Sequence, residues 1–180
     1  MNTRVPTFPP AESADGLSTN AGHAALLAGL NRDLAGEYRS VLMYTTYAAK
    51  LTGPHRRELR SLFLAEVSDE LAHAQFLADK IACLGGEPTV TPLHVKSAAQ
   101  PREMLEHALS CEIQAVMDYG ERIRQAEEYG DIGLRVALEN QVADETRHKE
   151  EVERILSGWN DSTLERARNE GGWSDDYGTK

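Results

Sequence analysis

Cysteines, aromatic residues and long apolar runs are scarce in this chain of 180 residues. The two cysteines, Cys83 and Cys111, fit no disulfide framework or cysteine zinc site, and we expect both to be small buried residues. No run of 18 apolar residues occurs, which argues against a transmembrane helix. The first 22 residues also lack the apolar segment of a secretory signal. The sequence therefore predicts a cytoplasmic protein.

Positive charge is scarce as well, because 19 Lys and Arg face 29 Asp and Glu, for a net charge of -10. Such a chain is not expected to bind nucleic acid as its main partner, and it is suited to attracting cations. The length suffices for one domain with a sizeable core. We expect a disordered extension over 1–22, a helical domain over 23–158, and a polar tail over 159–180. Within this tail, residues 161–169 could form a short fifth helix.

Four stretches carry apolar residues at alternating steps of three and four, which predicts four long helices. They span about 23–51, 54–84, 102–129 and 131–157. The turn at Gly53 and Pro54 is so short that the first two helices must be antiparallel neighbours. A connection of about fifteen residues with three prolines separates the second helix from the third. This pattern predicts an all-α four-helix bundle of two antiparallel hairpins joined by a long crossover; His94, in the crossover, is given no role.

Acidic residues interrupt the apolar stripe of every predicted helix. Each first acid precedes the second by 33 residues, and each second acid has a histidine three residues later, so one hairpin occurs twice with a shift of 75. On a helix, residues three apart point from one face toward one spot. The predicted inward set is Glu37, Glu70, His73, Glu112, Glu145 and His148.

Four carboxylates in a bundle core would repel one another and lose hydration. Two divalent cations would neutralise them, and the two imidazoles would complete the ligand set. Carboxylate and imidazole ligands suit iron or manganese better than a closed zinc site. A bundle with a protonated polar core is the alternative, but it explains neither the repeat nor the matched spacing.

Residues 26–158 resemble a ferritin-family chain, and bacterioferritin in particular. The resemblance rests on Glu37, Glu112, the two motifs Asp69-Glu70-x-x-His73 and Asp144-Glu145-x-x-His148, and the loop Leu84-Gly85-Gly86-Glu87-Pro88. It implies the ferritin-like bundle and a ferroxidase that oxidises Fe(II) with dioxygen or hydrogen peroxide. Each chain would bind two iron ions, with manganese as an alternative. The Fe(III) would be stored in a hollow homo-oligomer of 24 or 12 chains, without nucleic acid or membrane partners.

The resemblance also implies a role for each inward residue. Glu37 and His73 would be terminal ligands of one iron, and Glu112 and His148 of the other. Glu70 and Glu145 would bridge the two ions. Tyr44 matches a tyrosine beside the family's centre and would supply an electron or simply pack, whereas Tyr119 is expected to pack. Asp69 and Asp144 match acids on the inner side of the cage, which would help iron move or nucleate.

Three positions depart from related families. Leu71 stands where bacterioferritin has the methionine that binds haem, so no haem is expected. Ala65 replaces an inner-surface histidine, and Ala115 stands where rubrerythrin-like peroxidases usually have an additional glutamate. Two alternatives remain open: a di-iron or di-manganese peroxidase or catalase-type protein that stores no iron, and a Dps-like oxidative-stress protector or docking protein.

Overall fold

The computed structural model describes the backbone of residues 14–159 and the side chains from residue 21 onward. This part of the chain folds into four helices and contains no strand. The helices are α1 (Ala14–Lys50), α2 (Arg56–Cys83), α3 (Pro101–Tyr129) and α4 (Ile132–Ser157). Helix α1 packs against α2 and against α3, and α3 packs against α4. The predicted four-helix bundle is confirmed, whereas the expected fifth helix lies outside the described residues.

Short turns join the helices within each hairpin. Gly130 ends α3 with a φ of 84°, which a residue with a side chain rarely adopts. The next residue, Asp131, accepts a hydrogen bond from the backbone N–H of Leu134 at 2.8 Å and so caps α4. Gly53, with a φ of 83°, lies in the turn between α1 and α2. Turns this short keep the paired helices antiparallel.

The predicted ends of the helices agree with the structure to within two residues, except at the start of α1. This helix begins at Ala14 rather than near residue 23, so residues 14–22 of the expected extension are helical. No proline occurs between Pro10 and Pro54, so nothing in that stretch blocks the backbone hydrogen bonds of a helix. Residues 1–13 lie outside the described part of the chain.

The crossover between α2 and α3 runs along α1. The backbone N–H of Thr89 bonds to the Asn31 side chain at 2.7 Å, and that of Leu93 bonds to the Ala35 carbonyl at 2.8 Å. Farther along, the amine of Lys50, the last residue of α1, donates to the carbonyl of Ala98. The crossover therefore spans much of the bundle, and α3 begins at the end where α1 stops.

The apolar core consists of two clusters, one toward each end of the bundle. One cluster contains Tyr47, Phe63 and Leu105, together with other buried residues near the end of α1. The other contains Leu30 and Leu77 and lies toward the opposite end. The interrupting acids are located between these two clusters in sequence on every helix. None of the described helices has a stretch that is long and apolar enough to span a membrane.

The two cysteines differ from expectation. Cys83 is exposed and Cys111 is half-buried, so the prediction of two buried cysteines is wrong. Cys83 is the last residue of α2, where Ile81 takes the core position. The Cys111 thiol lies 3.8 Å from the Met43 sulfur, which is a packing contact rather than a reactive environment.

Candidate metal centre

All six predicted inward residues are buried, and the most exposed of them, His73, is only 6% exposed. Helices α1 and α3 contribute one glutamate each, while α2 and α4 each contribute a glutamate and a histidine three residues later. Because residues three apart on a helix lie on the same face, each Glu-x-x-His pair points both side chains into the bundle. The structure thus brings all six side chains together.

The donor atoms of these residues form two overlapping groups. In each group, all donor atoms lie within 4.8 Å of one another, and three carboxylates accompany one imidazole. Glu70 and Glu145 belong to both groups. Two cations could therefore lie side by side with these two carboxylates between them. The groups are Glu37, Glu70, His73 and Glu145, and Glu70, Glu112, Glu145 and His148.

Several buried polar atoms of the centre lack a hydrogen-bond partner. They include one oxygen of Glu70, both oxygens of Glu145, and the Nδ1 atoms of His73 and His148. His73 Nδ1 lies 2.8 Å from Glu145 Oε1, yet the two atoms do not meet in hydrogen-bond geometry. Buried polar atoms without partners are costly. A pair of divalent cations would satisfy them, so the residues present fit a di-metal centre.

The outer nitrogens of both histidines face carboxylates. His148 Nε2 lies 3.1 Å from Glu66 and 3.3 Å from Asp69, and His73 Nε2 lies 3.9 Å from Asp144. Carboxylates at this position orient an imidazole and increase its basicity as a ligand. Asp69 and Asp144 are about half exposed, so each connects the buried centre to the surface.

Glu66 is a site residue that the sequence analysis missed. It lies four residues before Glu70 in the buried stripe of α2, and with Asp69 and His148 it forms a third group of close donor atoms. The sequence signal was its position in the stripe. That position gives the face of the helix but not the partner across the bundle.

Two tyrosines link the hairpins at the centre. The Tyr44 hydroxyl donates to Glu112, and the Tyr119 hydroxyl donates to Glu37. Both rings are fully buried, and burial raises the pKa of both phenols well above the usual value, so they remain neutral donors. The expectation that Tyr119 only packs is therefore wrong. Its signal was the spacing of seven residues from Glu112, which matches that of Tyr44 from Glu37.

Comparison with known proteins identifies the fold family. The sequence matches the family model of the ferritin-like domain over residues 27–161. The chain belongs to the ferritin-like family. A ferritin-like diiron-carboxylate protein from Bacillus anthracis str. Ames is 46% identical, with a TM-score of 0.74 over 75% of this chain and 97% of that chain. A search of curated proteins gives no match.

Two more distant structures share the fold of this ferritin-like chain. Bacterioferritin from Desulfovibrio desulfuricans is 24% identical, with a TM-score of 0.72 over 86% of each chain. Dps from Thermosynechococcus elongatus is 23% identical, with a TM-score of 0.75 over 82% of this chain and 99% of that chain. These similarities support the architecture of the bundle, and the chemistry has to be argued from the residues of the centre.

The electrostatics of this ferritin-like centre favour proton uptake in the metal-free protein. Burial raises the pKa of Glu70 and Glu112 well above the usual value of a glutamate. Burial also opposes ionisation of Glu145, but the neighbouring imidazoles of His148 and His73 outweigh it and hold its pKa at about 2. Cations that bind here must therefore displace protons from the other two acids.

A buried ion pair lies about one turn from Glu37. The Arg122 Nε atom donates to Asp33 at 2.8 Å, and both residues are only 5% exposed. The guanidinium occupies space above Gly29, where an added Cβ atom would come within 1.7 Å of it. Burial raises the pKa of Asp33 to about 7, although Arg122 acts in the opposite direction. This pair, which the sequence analysis did not predict, ties α1 to α3.

Proposed function

We propose that this ferritin-like protein is a ferroxidase that oxidises Fe(II) to Fe(III) with dioxygen or hydrogen peroxide. The observation that carries the proposal is the pair of overlapping donor groups that share Glu70 and Glu145. Two Fe(II) ions held side by side can lose one electron each, which together supply the two electrons that convert hydrogen peroxide to water or dioxygen to hydrogen peroxide. The description of the Bacillus anthracis relative as a diiron-carboxylate protein supports iron as the metal rather than manganese.

Each residue has a defined part in this proposal. Glu37 and His73 would bind one Fe(II) and Glu112 and His148 the other, with Glu70 and Glu145 between the ions. The two tyrosines would hold the terminal carboxylates in position through their hydrogen bonds. Carboxylate and imidazole donors stabilise Fe(III) once it forms. A further part for Tyr44, as a donor of an electron, stays a prediction.

We also propose that the product is sequestered in a hollow homo-oligomer. The fold shared with bacterioferritin and Dps supports a shell of 24 or 12 chains, and light scattering would give the mass of the particle. The net charge of -10 would attract Fe(II) toward such a shell. The cytoplasmic location and the absence of bound haem remain predictions from the sequence.

The experiment that tests this function is an Fe(II) titration of the metal-free protein under anaerobic conditions, followed by air or peroxide. Ferric absorbance should rise in a fast phase that saturates at two irons per chain. Slow continued uptake without precipitate would support storage, whereas precipitation after saturation would indicate a di-iron enzyme without a store. The absence of any fast phase would contradict the ferroxidase and favour manganese or a protonated polar core.

A further inference from the structure

A small pocket lies between α1, the crossover and α3, away from the inward face of the bundle. Its volume is about 160 Å³. Four basic side chains line it: Arg39 from α1, His94 and Lys96 from the crossover, and His107 from α3. We call it the basic pocket. Neither the proposed ferroxidase nor the sequence analysis gives these four residues a role.

The basic pocket is cationic in a chain that is acidic as a whole. None of the residues that line it is an aspartate or a glutamate. Within residues 21–159, neither Arg39 nor Lys96 forms an ion pair with a carboxylate. The Arg39 Nε atom is buried and has no hydrogen-bond partner in the same part of the chain. A buried N–H without an acceptor is costly, and an anion would supply one.

One hydrogen-bond chain holds two sides of the pocket together. The Tyr47 hydroxyl donates to the Lys96 carbonyl at 2.7 Å and lies 3.0 Å from His107 Nδ1. A phenol has a single hydrogen, so His107 Nδ1 must donate to the Tyr47 oxygen. This contact orients the His107 ring and fixes the crossover at Lys96. The basic groups are therefore brought together by the fold and do not need a ligand to assemble them.

The composition and the size of the pocket decide which ligand fits. Two histidines and Cys111 line it, but within the described residues they are not among the groups whose three or more donor atoms lie within 4.8 Å of one another, which disfavours a metal. Pockets for larger organic ligands measure about 300–1,000 Å³, so a nucleotide is too large. An arginine next to a lysine suits the oxygens of a phosphate-like anion.

We propose that the basic pocket binds a small oxyanion of the phosphate class. Arg39 would bind the anion through its unpartnered N–H, and Lys96 would add a second charge at the crossover. Arg39 also lines the narrow cleft that contains Glu37 and Tyr119. An anion on Arg39 would therefore lie close to the α1–α3 side of the metal centre. This binding site does not depend on the ferroxidase proposal.

The test is a titration of the full-length, metal-free protein with inorganic phosphate, followed by isothermal calorimetry at low ionic strength. Removing iron prevents precipitation of ferric phosphate from obscuring the binding. We expect saturable binding of one phosphate per chain. Arg39→Gln and Lys96→Gln should each weaken it by about tenfold or more, because each removes a charge-assisted contact. Sulfate should compete, and adenosine monophosphate should bind more weakly than phosphate.

The matched control is Lys149→Gln, which makes the same change of charge on α4, where Lys149 lies 3.7 Å from Glu153. It should leave phosphate binding unchanged. The proposal would be overturned by a lack of saturable binding, by equal losses in Lys96→Gln and Lys149→Gln, or by tighter binding of the nucleotide than of phosphate. If Arg39→Gln fails to fold, Lys96→Gln still decides, because Lys96 is exposed on the crossover.

Discussion

At the scale of single residues, the metal centre depends on side chains that are not its ligands. Asp69 and Glu66 contact the outer nitrogen of His148, while tyrosines hold Glu37 and Glu112. Such partners fix the orientation of a ligand, and their loss typically costs about 10–100-fold in metal affinity or activity. The geometry of the centre is therefore set before any metal arrives.

Replacing Glu70 separates the chemistry from the fold. We predict that Glu70→Gln slows rapid iron oxidation by at least about a hundredfold, because Glu70 belongs to both donor groups. The variant should melt at the same temperature as the wild type or higher, since a buried carboxylate among like charges is removed. Stopped-flow absorbance and circular dichroism measure the two effects. Glu153→Gln, on the surface of α4, is the control, and a loss of helicity in Glu70→Gln would contradict its placement.

The two tyrosines provide a matched pair of variants. Tyr44→Phe and Tyr119→Phe each remove one hydrogen bond to a terminal glutamate and leave the ring in place. If both tyrosines only position carboxylates, both variants should weaken the affinity of a redox-inert metal such as Zn(II) by about tenfold. A slower oxidation in Tyr44→Phe alone, with equal Zn(II) affinities, would assign electron donation to Tyr44. Rates that fall equally in both variants would argue against that role.

At the scale of helices, the sequence pattern predicts most of the arrangement. The steps of three and four place Glu37 and Glu112 on inward faces, and the turn at Gly53 sets the pairing of α1 with α2. The pattern does not give the height at which two facing helices meet. The contact of Glu66 with His148 and the bond from Tyr119 to Glu37 both depend on that height, so they emerge only from the folded chain.

The start of α1 and the buried ion pair were missed for different reasons. Helix α1 extends to Ala14 without an apolar stripe, so periodicity gives no signal there. Asp33 and Arg122 are charged residues of the kind that usually faces solvent, and only the space above Gly29 allows the arginine to remain buried. Such a pair depends on the close approach of α1 and α3, which no single helix encodes.

The role of Gly29 can be tested with a second helical glycine as a control. An added Cβ at Gly29 would meet the Arg122 guanidinium, which can move away only by leaving Asp33. We predict that Gly29→Ala lowers the free energy of unfolding by about 1–3 kcal/mol. At Gly120 an added Cβ meets nothing within 4 Å, so Gly120→Ala should be neutral or stabilise the protein by up to about 1 kcal/mol. Equal effects in chemical denaturation would show that Arg122 does not need this space.

At the scale of the whole molecule, two apolar clusters enclose a layer of buried charge. The clusters involve residues from all four helices, so they can keep the bundle folded without metal. The layer between them holds protons in the metal-free state and cations in the loaded state. The stability of the molecule should therefore respond to pH in opposite directions in these two states.

We predict that the metal-free protein becomes less stable as the pH rises from about 5 to about 8. Burial raises the pKa of Asp33, Glu70 and Glu112 above the unfolded values. A raised pKa in an acid contributes stability that is fully present below the unfolded pKa and is lost as the pH rises through the folded pKa. Glu145, with a pKa of about 2, has the opposite sign but contributes a constant amount over this range.

Binding of Zn(II) should reverse this trend, because the cation replaces the protons and competes with fewer of them at higher pH. The difference in melting temperature between the Zn(II)-loaded and the metal-free protein should therefore widen from pH 5 to pH 8. Differential scanning calorimetry at several pH values measures it. A constant difference across the range would indicate that Zn(II) displaces no protons.

The reciprocal contacts between the hairpins have a consequence for the origin of the molecule. Neither half contains a complete donor group, since each needs carboxylates from the other. A free hairpin of this kind could bind metal only by pairing with a second copy of itself. The crossover that joins the halves also releases them from being identical. Glu66 has Gln141 as its counterpart 75 residues later, and both are buried, so the surroundings of the two histidines have already diverged in charge within one polypeptide.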